Sequence, residues 1–508
     1  MSRSRVAAVV VCLAMLTACG STVQTRAGDA VAGAGLGASV NGLSSSGQGQ
    51  TTGGGAAAGS ATGGGTIGNG PVTGPGGGGS LAAGATGTSG SAGTGASPTS
   101  PRTVANGATL TPGAPIQVGF VNTNVGNAAN AGLNVGQTYT TDQVFRALVT
   151  ALNAQGGLNG HRIIPVTADT DTASNDWSSD FQAACAKLTQ DNHVAVVVGY
   201  VFAHIDSFEG CLAKAGVPHL SGAYTVGDEQ TLRSYPGLVG TSALSADRRY
   251  RLQLEGAVNE GFVTKQSKVG LLLDQCPEQA RAVKNTLEPY MRSAGLHEAS
   301  RVTFSCANGA GDAGSAASQV QAAVLRFRQA GVDRVFTEGI PLVLFAQSAE
   351  SQGYRPGYIV TSTSNGAALE PNIPAAQARN VHGYGWMPSV DVDLQHQSPR
   401  TASQKRCLTL LASQSIRPAQ YNDYLQAFTT CDGLFLYAAL LARSAGQTSA
   451  AAIARAVAGL GTSYFGVNVY SGRTSLSAGR RDAPTLYRRW AWSDGCSCFT
   501  YTGPEQAI

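Results

Sequence analysis

Neither sign of charge dominates this 508-residue chain, in which 34 Lys and Arg stand against 30 Asp and Glu. So even a balance supplies no field to draw in nucleic acid or an anionic membrane. The basic pairs Arg248-Arg249, Arg480-Arg481 and Arg488-Arg489 read as solvated faces, not phosphate sites. Long apolar runs are scarce too: beyond the first sixteen residues no segment reads as long and apolar enough to cross a bilayer. Catalytic signatures are missing from 114–508, which has no G-x-S-x-G, H-E-x-x-H or G-x-x-x-x-G-K. Their absence argues against serine hydrolases, zincins and P-loop enzymes. His204, Asp206 and Ser207 are close in sequence, but one helical turn does not set them out as nucleophile, base and orienter. The chain reads as a binding protein without catalysis and without a cofactor.

What is present begins at the N-terminus. Arg3 and Arg5 precede the apolar stretch Val6 to Leu16, and Leu16-Thr17-Ala18-Cys19 follows. The stretch is too short to span a bilayer and has the order of a secretory signal. The tetrapeptide resembles the lipobox of bacterial lipoproteins. That resemblance implies cleavage before Cys19, lipidation of Cys19 and anchoring on the outer face of the cell membrane. Residues 20–113 are then nearly all Gly, Ala, Ser and Thr with scattered Pro. Such a segment cannot bury enough apolar surface to offset its ordering entropy, so it reads as a tether. A Gly-rich coil of roughly 90 residues has an end-to-end distance on the order of 50 Å.

The remaining residues, 114–508, exceed one ordinary core. They alternate strand and helix. Ile116 to Val121 is a strand. Thr140 and Gln143 form a capping box for a helix with Val144, Leu148 and Leu152 on one face. Val194 to Val198 is apolar on both faces, as in a parallel strand covered by helices on each side. The series restarts with a helix from Ala246 to Gly261 and a buried strand from Val269 to Leu273. Two such sets predict an α/β fold of two doubly wound parallel-sheet lobes joined by a hinge. Lobe 1 takes about 114–240 plus a returning C-terminal segment. Lobe 2 takes about 245–380 plus the C-terminal helices. His382 to Arg417 reads as irregular, and Phe465, Val467 and Val469 as a late strand.

Besides Cys12 and Cys19, eight cysteines remain. An even number in an exported domain predicts disulfides. Neighbours along the chain give the simplest pairing, Cys185 with Cys211, Cys276 with Cys306 and Cys407 with Cys431, although other connectivities stay open. Cys496-Ser497-Cys498 can close a small ring, bind a metal or pair elsewhere. With no histidine at ligand spacing, zinc is not expected and structural cystine is favoured.

In open α/β sheets a ligand sits beyond the carboxyl ends of the strands. The residues following the strands are therefore the candidates: Asn124, Tyr200, Phe202, His204, Ala223, Tyr224, Thr225, Gln275 and Glu338. They mix aromatic surface with hydroxyl, amide and carboxylate groups, as a pocket for a small molecule requires. Glu338 and Asp274 can meet a cationic ligand group, and His204 an anionic one.

The run Asn153-Ala154-Gln155-Gly156-Gly157-Leu158-Asn159-Gly160-His161-Arg162-Ile163 resembles a segment of type I periplasmic binding proteins. The group it is most similar to is the Leu/Ile/Val-binding family of ABC-transporter receptors. Ala195 to Gly199, Ala215 to Ser221 and Gly331 to Phe336 follow in the same order, and the likeness runs from about Ile116 to the end. The resemblance implies a clamshell that delivers a small polar solute to ABC permease subunits. It also implies ligand contacts at Ala223 and Thr225, which the sequence keeps. Ala203 and His204 stand where a hydroxyl residue is usual, and Cys276-Pro277 replaces a Tyr-Gly. A ligand-sensing or scaffold lipoprotein of the same fold, signalling to a protein partner, is the alternative.

Overall fold

The computed structural model describes residues 107, 109–124, 136–199, 205–222, 224, 226–369 and 371–508, with the side chains of 124, 313 and 340 left aside. The expected signal, lipobox and tether lie outside the described residues, save for the last few residues before 114.

The first βα series runs β1 (Ile116–Asn124), α1 (Thr141–Ala154), β2 (Ile163–Asp171), α2 (Trp177–Ala186), β3 (Val196–Gly199), α3 (Asp206–Lys214), β4 (His219–Ser221), α4 (Glu229–Ser234) and β5 (Leu238–Gly240). The Thr140/Gln143 capping box is present at the start of α1. The turn from α1 into β2 depends on Gly157, at φ +77°, where a side chain would collide with the His161 carbonyl. All five strands are parallel, in the order β2-β1-β3-β4-β5. Val196, Val197 and Val198 are buried on both faces, as their unbroken apolar run demands.

The second series runs α5 (Ala246–Glu260), β6 (Lys268–Asp274), α6 (Pro277–Ala282, continued through a π turn to Ala294), β7 (His297–Phe304), α7 (Ala310–Gln329), β8 (Arg334–Phe336), α8 (Ile340–Ser351), β9 (Gly357–Thr361) and β10 (Val381–Gly385). Its parallel strands lie in the order β7-β6-β8-β9-β10, the same winding as the first sheet. Three antiparallel strands, β11 (Leu486–Ser493), β12 (Cys498–Tyr501) and β13 (Gln506–Ala507), complete it beyond β10.

Between β10 and β11 the chain returns to the first lobe. There α9 (Ala402–Ala412), α10 (Tyr421–Arg443) and α11 (Ala450–Ala458) share a core with Phe120, Phe145 and Val198. The C-terminal helices therefore belong to the first lobe, and it is the C-terminal strands that join the second. The expected irregular stretch from His382 holds most of β10 and all of α9, whose Thr401/Gln404 capping box starts it. β10 escaped the sequence reading because Gly383 and Gly385 break its apolar pattern; the space they leave is filled by Trp490 and Asp391. Phe465, Val467 and Val469 form no strand: Phe465 is 62% exposed, and Asp432 captures the Val467 and Asn468 amides at 2.9 and 3.1 Å. Contrary to expectation, α10 is long and apolar enough to cross a membrane, but it is mostly buried as a core helix.

Three segments cross between the lobes: 241–245, 386–401 and 459–485. The first and third are tied together beside β5. Gly240 donates to the Arg481 carbonyl (2.7 Å) and accepts from Ala483 N–H (2.9 Å), and Asp482 accepts from Ser245 N–H and pairs with Arg248, at 2.9 and 2.8 Å. Disulfides join Cys185–Cys211 between α2 and α3, Cys276–Cys306 at the ends of β6 and β7, Cys407–Cys431 between α9 and α10, and Cys496–Cys498 in the β11–β12 turn. His396 comes within 4.8 Å of the last pair, a neighbour invisible to sequence spacing, but those two sulfurs are bonded to each other.

Candidate functional site

Each sheet reverses its strand order once, between β1 and β3 in the first lobe and between β6 and β8 in the second. A doubly wound sheet opens a crevice at that point, beyond the strand ends. In the second lobe the residues there are Asp274, closing β6, and Glu338, just after β8.

Glu338 is not a free carboxylate. Its Oε2 lies 3.0 Å from Arg249 Nε and its Oε1 accepts from Thr361 Oγ1 at 2.7 Å. Arg249 sits in the first turn of α5 and is 4% exposed. Its Nη2 donates to Gln279 Oε1 at 2.5 Å, and its guanidinium lies over the Tyr250 ring. The solvated face expected for Arg248-Arg249 is thus corrected: α5 turns Arg249 inward, and a buried guanidinium must be paired. Burial opposes the charge on Arg249, yet Glu338 holds its pKa above the usual value. Burial also raises Glu338, against the pull of Arg249. Asp274 is pushed up to about 7, first by burial and then by the neighbouring Glu278. Arg249 and Glu338 thus cancel each other's charge, while burial keeps Asp274 protonated until the pH approaches about 7.

The other candidates divide. Tyr224 is buried where the lobes meet, and its hydroxyl accepts from Asn365 Nδ2 at 3.4 Å. Gln275 turns to the sheet edge, donating to Thr303 Oγ1 at 2.8 Å, away from the reversal point. Asn124 ends β1. Tyr200, Phe202, His204, Ala223 and Thr225 lie outside the described residues.

Further contacts tie the crossing segments to one another and bridge the lobes. Trp386 Nε1 donates to the Ser242 carbonyl (2.8 Å). Arg281 grips the Asp228 carboxylate with two bonds, of 2.7 and 2.9 Å. At the edge away from the crossings, where β2 and β7 end, Trp177 N–H donates to Asn308 O and Ala310 N–H to Ser174 O, both at 2.8 Å. Gly309 lies flush on the Asn175 backbone with no room for a Cβ. Arg249 and this edge latch were not among the sequence candidates. The first is joined to its partner only by the fold, and the second is made of backbone.

Two similar lobes, three crossing segments and strand ends turned towards a shared crevice define a hinged binding protein. The chain belongs to the periplasmic binding protein family, whose model matches residues 115–483; members of this family are binding proteins, not enzymes. Solved structures share its fold. A solute-binding protein of an ABC transporter from R. palustris, in complex with 4-hydroxybenzoate, is 16% identical, with a TM-score of 0.57 over 78% of this chain and 97% of that one. The branched-chain amino acid transporter substrate-binding protein of Streptococcus pneumoniae, in complex with isoleucine, is 18% identical, with a TM-score of 0.54 over 78% and 99%. An ABC transporter substrate-binding protein from Desulfitobacterium hafniense in complex with Leu is 17% identical, with a TM-score of 0.53 over 76% and 99%. No curated protein matches the chain.

Proposed function

We propose that this protein is an exported, lipid-anchored receptor that closes on a small polar molecule, amino-acid-like or related, and hands it to the permease of an ABC importer. The observation that carries the reading is the pair of facing strand-end surfaces, hinged at one side and latched by backbone hydrogen bonds at the other. Closure of two such lobes around a solute is a known use of this architecture. The anchor rests on Leu16-Thr17-Ala18-Cys19 and the reach of the receptor on the Gly-rich stretch to residue 113. In this reading 1–19 is the signal with its lipobox, cleaved before Cys19 so that Cys19 keeps the lipid, 20–113 holds the receptor off the membrane, and 114–508 does the binding. Asn124, Tyr200, Phe202, His204, Ala223, Tyr224 and Thr225 line the first-lobe wall. Glu338 stands on the second, acting there through Arg249, whereas Gln275 is turned to the sheet edge.

A thermal-shift screen of the purified protein against amino acids, aromatic acids, amides and sugars tests the receptor. A true ligand at a hundredfold excess over its dissociation constant adds about 2.7 kcal/mol. Absence of a shift with every class would remove the proposal.

A further inference from the structure

Helix α10 carries polar groups into lobe 1 where an apolar helix would pack better. Its stretch from Thr429 to Gly433 lies level with the strand ends: a Cβ on Gly222, just past β4, would come within 2.6 Å of the Thr429 Cβ, and one on Gly433 within 2.9 Å of the Val198 Cβ and 3.3 Å of Gly199 N. Below that level Leu434, Leu436 and Leu440 enter the core. Above it, Asp423 accepts from the Thr138 and Tyr139 amides in the segment leading to α1, at 2.7 and 3.2 Å. The N-terminal turns of α10 therefore stand beyond the strands, on the crevice side. Gln426, Thr429, Thr430 and Gly433 follow the i, i+3, i+4, i+7 spacing of a single helix face. With 1.5 Å of rise per residue, Gln426 lies about 4.5 Å farther out than Thr429.

Gln426 is 7% exposed and Thr430 fully buried. Gln426 Oε1 and Thr430 Oγ1 are buried with no hydrogen-bond partner among the described residues. Thr429 next to them does find one, donating to the Leu425 carbonyl at 2.8 Å. A buried amide left without a partner weakens a fold, and such groups persist where something else completes them. Opposite, in the second lobe, Glu338 is already neutralised by Arg249 at 3.0 Å. Neither group offers a ligand a net charge.

We infer that Gln426, with Thr430 behind it, contacts the ligand, taking an uncharged polar group of the solute: an amide, a carbonyl or a hydroxyl. The inference rests on the receptor reading and names the chemistry of its first-lobe wall. The amide oxygen accepts from a ligand N–H or O–H and its NH2 donates to a ligand carbonyl.

The test uses Gln426→Met and Thr430→Val, which keep volume and remove polarity. The probes are benzoate, 4-hydroxybenzoate, leucine and isoleucine, with the uncharged benzamide and 4-hydroxybenzamide, titrated calorimetrically into the full chain. At least one probe should bind, and an uncharged amide at least as tightly as its acid. Gln426→Met should weaken that binding tenfold or more while raising the ligand-free Tm by about 1–3 °C. Binding changed less than twofold by Gln426→Met, or a ligand-free Tm lowered in both variants, would overturn the inference alone. An acid bound clearly tighter than its amide would also overturn it. Failure of every probe to bind wild-type protein would overturn the receptor reading and this inference together.

Discussion

Arg249→Met should cost the protein about 3–5 kcal/mol. Its guanidinium lies 3.0 Å from Glu338, and both side chains are largely shielded from water. At an effective dielectric near 20, two charges about 4 Å apart attract by about 4 kcal/mol. Breaking a buried pair from one side costs about 3–5 kcal/mol, because the remaining charge stays buried. In Arg249→Met only the hydroxyls of Thr361, at 2.7 Å, and Thr363 still serve the carboxylate. The double variant Arg249→Met/Glu338→Gln should recover most of the loss, since a neutral amide needs no counter-charge. The variant should also acquire a pH dependence. Burial already raises the Glu338 pKa, and loss of the cation raises it further. A carboxyl group raised in the folded state contributes stability that is complete below its unfolded pKa and is lost as pH rises through the folded one. Arg249→Met should therefore regain stability on acidification, whereas the double variant should not. Urea denaturation of the wild type, Arg249→Met, Glu338→Gln and the double variant at pH 8 and pH 5 provides the cycle. A loss below about 1 kcal/mol with no response to pH would refute a spent Glu338 and return that carboxylate to the ligand.

Three other outcomes are expected. Burial pushes Asp391 up to about 7 and Asp432 up to about 6, so their contribution is largest at low pH and falls as pH rises through 6–7. The Tm should drop between pH 5 and pH 8, and less steeply in Asp391→Asn; a Tm rising over that interval would contradict the assignment. Replacing Cys407 and Cys431 by Ala, which opens a loop of 24 residues' separation, should cost about 3.5 kcal/mol in chemical denaturation. The same change at Cys496 and Cys498, separated by 2, should cost about 1.5 kcal/mol, and equal losses would refute loop-closure entropy as the cause. Gly309→Val places a side chain against the Asn175 backbone and should weaken binding of any identified ligand at least tenfold while changing Tm little; unchanged affinity would remove the latch.

Much of this architecture was legible because its signals are local. The valine run of β3, the Thr140/Gln143 box and cysteines paired with their nearest neighbours each need only a few dozen residues of context. Long-range features were not legible. Arg249 and Glu338 meet only because α5 and β8 are assembled around one sheet, so Arg248-Arg249 looked like one more exposed basic pair. The return of α10 to the first lobe is likewise hidden: its apolar face would suit either core. The crossing segments hold few periodic residues and are fixed by side chains reaching backbone, as Asp432 and Asp482 do. Of the candidate site residues, the sequence shows which follow the strands but not which side chains the fold already engages. Gln275 and Glu338 are engaged elsewhere, while Gln426, on a distant helix, carries no local motif at all.

Two lobes that shut on a solute are the centre of the proposed function. Spin labels on cysteines replacing the exposed Lys214 in the first lobe and Lys284 in the second would report their separation by pulsed electron resonance. A solute that stabilises the protein should convert a broad or long distance distribution into one shorter, narrower peak. A distribution left unchanged by a saturating, stabilising solute would contradict closure.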